Sequence, residues 1–428
     1  MKIAMFTNTY LPHVGGVARS VKTLEDECRK LGHEVKIVAP EFANAGESPH
    51  VLRVPAIQNF NGSDFAVRLP APGMIRDFMD EFHPDVIHSH HPFLLGDTAL
   101  RQAWRMGIPV LFTHHTLYER YTHYVPLDSA TLKQMAIQLA TEYCNLCAAV
   151  IAPSESIRDL LVERGVTVPL HPIPTGIDTA FFGSGNGARL RAEAGIPEEV
   201  LLLGHVGRLA PEKNLRFLAA AVSLFLQRDE RAAFLLVGEG AEGDEMMKVF
   251  AENGLEDRVH RAGQLTAGNL ADAYGAMDVF VFSSQSETQG MVLAEAMAAG
   301  KPVVALDGPG VREIVDDGAN GFLLPGDAEA ADFADSISTL TADAASLRRF
   351  SEQARATAAD FDHHHTARQL VATYQHLIRE APVRSEEDQM PWDPFLNSLE
   401  IEWDLLAAKM SAAATAILPV ATVEVGRD

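Results

Sequence analysis

Cysteine is scarce in this 428-residue chain: Cys28, Cys144 and Cys147 are the whole complement. So low and odd a count supports no disulfide framework and points to a reducing compartment. Cys144 and Cys147 have C-x-x-C spacing, but they fall inside a helical pattern from Thr131 to Ala149. Two small apolar residues on one helix is therefore expected rather than a redox or metal pair. Long apolar runs are also missing, and no stretch reaches the roughly 18–20 residues of a membrane-crossing helix. Met1 to Phe6 reads as a strand, without the layout of a signal peptide. Positive charge is in short supply: 35 Lys and Arg face 58 Asp and Glu, a formal charge of −23. The deficit is uneven, with 15 basic and 18 acidic side chains in residues 1–170 against 20 and 40 in the remainder. That balance argues against a nucleic-acid partner. It leaves room for a local basic or apolar patch on the near-neutral N-terminal part. A cytoplasmic protein that touches a membrane from its inner face at most is the expectation.

What is present is ample apolar material, 47% of residues, in a chain long enough for two domains. Its most informative stretch is Ser284 to Pro302. The apolar run Asp278 to Phe282 before it is a buried-strand pattern, and Met291 to Ala299 consists of strong helix formers. Gly300 suits the left-handed position past a helix end, and Pro302 prevents continuation. Glu287 in the loop and Glu295 on the helix stand eight residues apart. Eight helical steps span roughly 12 Å, about the scale of a diphosphate with a sugar at each end. The backbone amides of Gln289, Gly290 and Met291 at the helix start can seat an anion, and flanking acids can accept bonds from sugar hydroxyls. A capped amphipathic helix with two solvated acids would have the same spacing, so the neighbouring elements matter.

Those elements alternate strand and helix along the chain. Lys2–Phe6, a Pro- and Gly-rich loop at Thr7–Val17, a helix at Ala18–Leu31 and a strand at Val35–Ala39 form a β-loop-α-β unit, which implies a parallel sheet. Gly15-Gly16 falls where strand gives way to helix, a position that lets backbone approach a phosphate or sugar. Strands follow at Asp85–His88, Pro109–Thr113 and Val150–Ala152. Pro172 to Asp178, with two prolines and a glycine, is the best boundary. A second series then runs through Leu201–Val206, Asn214–Gln227, Phe234–Val237, Gly243–Asn253, Val259–His260 and Ala267–Ala276 to the stretch above, then Val303–Ala305 and Gly321–Pro325. Asp360 to Arg379 is a last helix. Residues 381–428 are an additional tail, in which Leu396 to Leu418 has helical spacing.

Gly207 to Asn214 places Arg208 and Lys213 directly after the first strand of the second series. Arg grips a phosphate bidentately and Lys supplies a point charge. His115 ends the strand at Pro109–Thr113. After it come Tyr118, Tyr121, His123 and Tyr124, aromatics with polar tips that suit a lipid–water boundary or a sugar platform, or that simply pack a loop.

Together, Glu287-x7-Glu295 in its strand–loop–helix setting, the Gly-Arg…Lys-Asn element at 207–214 and His115-Thr116 resemble the signatures of retaining glycosyltransferases of family 4. The resemblance covers about residues 1–380. It implies an α/β protein of GT-B fold, with two facing Rossmann-like doubly wound parallel-sheet lobes and a cleft between them. Residues 1–172 would form the acceptor lobe and 173–360 the donor lobe, with 361–380 a helix crossing back and 381–428 an extra tail. Residue by residue, it assigns catalytic roles to His115, Arg208, Lys213 and Glu287. It assigns the donor to Gly16, Arg208, Lys213, Gly263, Glu287, Thr288, Gln289, Gly290, Met291 and Glu295, with Glu295 on the ribose.

The segment His115 to Tyr124 is similar to the branch that glucosylates diacylglycerol. That makes Tyr118, Tyr121, His123 and Tyr124 acceptor-binding, and a peripheral membrane contact of the first lobe an expectation; Arg19, Lys22, Arg68, Arg76 and Arg120 are cations available to it. The family needs no protein-ligated metal or other cofactor, though Mg can stimulate it. The clusters His88, His90, His91 and His363 to His365 are accordingly not expected to be metal sites. The implied function is a retaining hexosyltransferase of glycolipid synthesis, moving glucose from UDP-glucose to diacylglycerol. Its rivals are the same fold with a soluble sugar or phosphoinositol acceptor, a non-catalytic nucleotide-sugar binder, and a nucleotide-sugar epimerase.

Overall fold

The computed structural model of the chain describes residues 1–12, 15–42, 45–46, 48–57, 67–68, 72–120, 129–381, 401–402 and 405. The chain divides into two compact units. One comprises Met1–Pro153, Arg158–Ile173 and the described residues from Ala367 on; the other comprises Ser154–Ile157 and Pro174–Thr366.

The first unit is built on strands β1 (Lys2–Phe6), β2 (Glu34–Pro40), β3 (Val51–Val54), β4 (Val86–Ser89), β5 (Val110–Thr113), β6 (Ala149–Ala152) and β7 (Leu170–Pro172). They lie in the order β3-β2-β1-β4-β5-β6-β7, all parallel. A short antiparallel pair, Ala56–Ile57 with Val67–Arg68, stands apart from this sheet. The second unit uses β8 (Leu201–Val206), β9 (Ala232–Val237), β10 (Val259–Gly263), β11 (Val279–Phe282), β12 (Val303–Leu306) and β13 (Gly321–Leu324), in the order β10-β9-β8-β11-β12-β13, again parallel. In each unit the strand order reverses beside the first strand, between β1 and β4 and between β8 and β11. Ligands of doubly wound sheets bind beyond the carboxyl ends of the strands at such a switch point.

The apolar runs that mark these strands bury both faces, as parallel sheets require. In the second unit Leu202, Val206, Leu235, Phe280 and Phe282 enter one buried cluster, and Leu203, Phe234, Leu236, Val279 and Val281 enter another. Alternation along each strand sends neighbours to opposite faces. In the first unit Ile3, Met5 and Ile37 pack with Leu370, Val371, Tyr374 and Leu377 of the long helix His363–Glu380. That helix begins later than the expected Asp360. The Asp362 carboxylate accepts from the His364 amide at 2.9 Å and from the Thr179 hydroxyl at 2.7 Å, which stops the preceding residues from joining the helix.

The expected helix Thr131–Ala149 spans Ala130–Asn145, started by Ser129, whose hydroxyl accepts from the Leu132 amide. It ends early because Ala149 pairs with Leu111 in the sheet. Asn145 also turns outward, donating to the Gly165 carbonyl and accepting from the Thr167 amide. Cys144 therefore lies on the helix and Cys147 beyond it, and both are buried and unbridged. Of the tail, Ile401 and Leu405 are buried, and Glu402 pairs with Arg101 of the first unit. No described helix is long and apolar enough to cross a membrane.

Candidate functional site

In the second unit the loops after β8 and β11, the two strands at the switch point, interlock. Ser283 donates to the carbonyls of Lys213 and Asn214 at 3.0 Å each, and Ser286 donates to the Glu212 carbonyl at 3.1 Å. Asn214, held left-handed at φ +54°, turns the first loop into helix Leu215–Arg228. These backbone anchors bring Lys213 Nζ to 2.5 Å from Glu287 Oε1 across 74 residues of sequence, and Ser284 donates to the same oxygen at 2.6 Å. Burial alone would raise the Glu287 pKa. The Lys213 charge, with the bonds from Lys213 and Ser284, outweighs it and holds the carboxyl below its ordinary value. Glu287 is thus an anion, and Lys213 its counter-cation. Arg208 is 40% exposed and pairs with Glu212 at 2.5 Å.

The turn that carries Arg208 is packed against the next one. The Leu209 amide donates to the Glu239 carbonyl, and at Gly238, where φ is +131°, a Cβ would lie 1.8 Å from the Gly207 carbonyl oxygen. Only glycine fits there. Gly263, also at positive φ, ends β10 and accepts from the Gly238 amide at 2.8 Å.

Beyond Glu287 the loop ends at Gly290, which caps helix Met291–Ala298 at φ +70°. The Gln289 side chain is turned inward, accepting from the Thr175 amide at 2.5 Å and donating to the Thr175 carbonyl at 2.7 Å. Its amide group ties down the segment after β7, so only its backbone is left for the anion seat expected from the sequence. The Thr288 carbonyl accepts from Ser154 at 2.9 Å. Glu295 is 1% exposed, and the Tyr274 hydroxyl donates to its Oε2 at 2.7 Å.

Motif reading passes over two residues here. Tyr274, fully buried, orients Glu295. His205, inside β8, lies beside the rings of Phe280 and Phe282, donates from Nδ1 to the Val281 carbonyl at 3.1 Å, and has its pKa pushed down to about 4 by burial. Its only trace in the sequence is a polar residue in an otherwise apolar strand.

The first unit gathers its own set after β1, β4 and β5. Gly16 begins helix Gly16–Lys30, and a Cβ there would meet nothing within 4 Å. His88 is fully buried, its ring nitrogens 2.6 Å from Tyr374 Oη and 2.7 Å from Thr113 Oγ1. His114 is buried edge-on against Phe112 and Tyr118, whereas His115 is only partly buried, as alternation at a strand end requires. His115 Nε2 is 2.9 Å from His90 Nδ1. Tyr118 packs its ring against Phe93 and His114, and burial raises its pKa. Tyr121, His123 and Tyr124 lie outside the described residues. Lys22 pairs with Asp26 and Glu25, and Arg76 with Asp80, so acids on the same helices answer two of the cations available for a membrane. A depression of about 270 Å³ on the second unit, lined by Phe181, Asn186, Arg189 and Asp272 among others, includes none of the candidate residues.

Comparison with known proteins gives the family. Residues 14–181 match the model described as Glycosyltransferase Family 4, and residues 187–357 match that described as Glycosyl transferases group 1. The chain is 31% identical over 338 residues to the alpha-monoglucosyldiacylglycerol synthase of Streptococcus pneumoniae (strain ATCC BAA-255 / R6), covering 77% of each protein. It is 31% identical over 333 residues to the GDP-mannose-dependent alpha-mannosyltransferase of Mycolicibacterium smegmatis, covering 76% of this chain and 84% of that one. Among solved structures, sucrose-phosphate synthase from Thermosynechococcus elongatus superposes with a TM-score of 0.72 at 22% identity, over 88% of this chain and 99% of the other, a likeness of fold.

Proposed function

The chain belongs to glycosyltransferase family 4 and has the GT-B fold of two Rossmann-like lobes, and on that premise we propose that it is a retaining hexosyltransferase moving glucose from UDP-glucose to diacylglycerol. The observation that carries the reading is the Lys213–Glu287 pair, with Arg208 beside it in sequence, on the two loops at the switch point of the second sheet. Arg208 and Lys213 stabilise the negative charge that gathers on the diphosphate as the anomeric C–O bond breaks. Glu287 orients sugar hydroxyls, the amides at the start of helix Met291–Ala298 receive phosphate or sugar oxygens, and Glu295, oriented by Tyr274, accepts from the ribose. Gly263 flanks the base.

The acceptor hydroxyl bonds to the anomeric carbon on the face the phosphate leaves. Its proton passes to the departing phosphate oxygen, so neither an enzymic nucleophile nor a protein-held metal is required. The first lobe takes the acceptor, with Gly16 near the donor, His115 as a hydrogen-bond partner of the substrates, and Tyr118, Tyr121, His123 and Tyr124 on the acceptor side. Similarity to a relative named for glucosylated diacylglycerol supports the lipid acceptor and an association with the membrane surface. The same 31% identity to a relative named as GDP-mannose-dependent makes GDP-mannose the second donor to test.

The test is a matrix of UDP-glucose and GDP-mannose against diacylglycerol vesicles, inositol phosphate and no acceptor, with the product anomer read by NMR. An α-glucosyl lipid formed only with UDP-glucose and vesicles is expected. Transfer to inositol phosphate alone would remove the lipid reading, and an inverted product the retaining one. Donor binding without turnover in any combination would leave a binding protein.

A further inference from the structure

Five histidines, His88, His90, His91, His114 and His115, gather at the C-terminal ends of β4 and β5, and the reaction as described above uses one of them. Two are accounted for locally. His88 is bonded at both ring nitrogens. His91 Nδ1 accepts from the Asn8 amide at 3.1 Å, which places its proton on Nε2. His114 packs against aromatic rings, but its Nδ1 too is buried without a hydrogen-bond partner among the described residues, and it faces no other histidine nitrogen at bonding distance there.

His90 is the one that faces His115. It is 1% exposed, its Nδ1 lies 2.9 Å from His115 Nε2 with the ring centroids 5.2 Å apart and the planes inclined by 25°, an end-to-end approach, and its own Nε2 is buried with no hydrogen-bond partner among the described residues. Burial holds both rings well below the ordinary histidine value, His90 further lowered by His88 and His115 and His115 by His91 and His88, so each ring carries one proton. One proton then joins the two facing nitrogens, and it belongs to one ring or the other. If His115 donated it from Nε2, the His90 proton would sit on Nε2, a buried N–H aimed at no acceptor. If His90 donates from Nδ1, its Nε2 is merely an unfilled lone pair. An orphaned buried donor is the rarer and costlier defect.

We infer that His90 is a positioning residue: its Nδ1–H donates to His115 Nε2 and so holds His115 as the Nδ1–H tautomer. The consequence is chemical. The one ring lone pair of His115 is occupied, so its other ring nitrogen, Nδ1, carries the hydrogen and can act only as a donor. His115 then bonds a substrate oxygen without taking a proton, which fits a displacement in which the leaving phosphate oxygen receives it. This last step rests on the proposed reaction; the tautomer does not.

The experiment is a long-range ¹H–¹⁵N spectrum of the full chain labelled with ¹⁵N-histidine, with the His115 signals assigned by their loss in His115→Asn. In the wild type, Nδ1 of His115 should be the protonated nitrogen and Nε2 the bare one. His90→Asn, whose amide N–H can occupy the place of Nδ1–H, should keep that pattern. His90→Leu should let His115 revert to Nε2–H. In the transfer assay His90→Asn should stay within a few-fold of wild type, and His90→Leu should fall on the order of 10–100-fold. A wild-type His115 protonated on Nε2, or a pattern unchanged in His90→Leu, overturns the assignment. The expected tautomer in a protein that transfers no sugar would overturn the reaction reading and leave His90 in place.

Discussion

Replacing Lys213 with Met separates what the Lys213–Glu287 pair does for the fold from what it does for transfer. The two groups are 2.5 Å apart with side chains 14% and 18% exposed. Removing one partner of a buried pair costs about 3–5 kcal/mol. Here Ser284 still donates to the same carboxylate oxygen and some water reaches both groups, so about 2–3 kcal/mol is expected. In a domain of this size that is roughly 5–10 °C in Tm.

The pH dependence has a definite sign. In the wild type the folded pKa of Glu287 is lowered, so its contribution is present above the ordinary carboxylate range and lost as pH falls through the folded value. Without Lys213, burial prevails and the folded pKa rises above the unfolded one. The variant is then penalised at neutral pH, and the penalty fades below about pH 4–5. The gap between wild type and Lys213→Met in thermal unfolding should therefore be widest near pH 7 and narrow toward acid. Adding Glu287→Gln should recover most of the lost stability and none of the transfer. Equal stability of Lys213→Met and wild type at pH 7, or a double variant no more stable than the single, would refute the reasoning.

Arg208→Ala should lower transfer by about 10²-fold; because the Glu212 carboxylate it leaves is only 5% exposed, a stability cost of about 1–3 kcal/mol is also expected, and transfer restored in the Arg208→Ala, Glu212→Gln double variant would make the residue structural. Gly238→Ala puts a methyl 1.8 Å from the Gly207 carbonyl oxygen at a φ of +131°, so it should displace the Arg208 turn, cost about 1–3 kcal/mol and weaken UDP binding in calorimetry. Unchanged UDP affinity there would detach this turn from the donor. Tyr118→Ala and Tyr121→Ala should reduce transfer to a lipid acceptor more than hydrolysis of UDP-glucose, and equal losses would remove them from the acceptor side.

Much of the architecture is legible because its signals are local. Apolar runs of strand length, helix formers between them, and Gly or Pro at the joins give two successive βα series, and the loop–helix from Ser284 to Gly300 was readable down to the left-handed glycine at 300, though not the one at 290. The start of the last helix was not. Asp362 chooses its partners, Thr179 among them, across a long sequence separation. The short edge strand Leu170–Pro172 also escaped, since its pairing with β6 rather than its composition makes it a strand.

Composition and order along the chain thus settled the α/β class, the charge imbalance between the halves, and which loops hold Arg208, Lys213, Glu287 and His115, because propensity and periodicity act over a few residues. Which of those groups meet was left to the folded state. Lys213 reaches Glu287 across 74 residues, Tyr274 reaches Glu295 across 21, and His90 reaches His115 across 25. In each case the reach depends on sheet order and burial. The protonation of each group follows from those same neighbours and from the water they exclude, neither of which is written in any single stretch of chain.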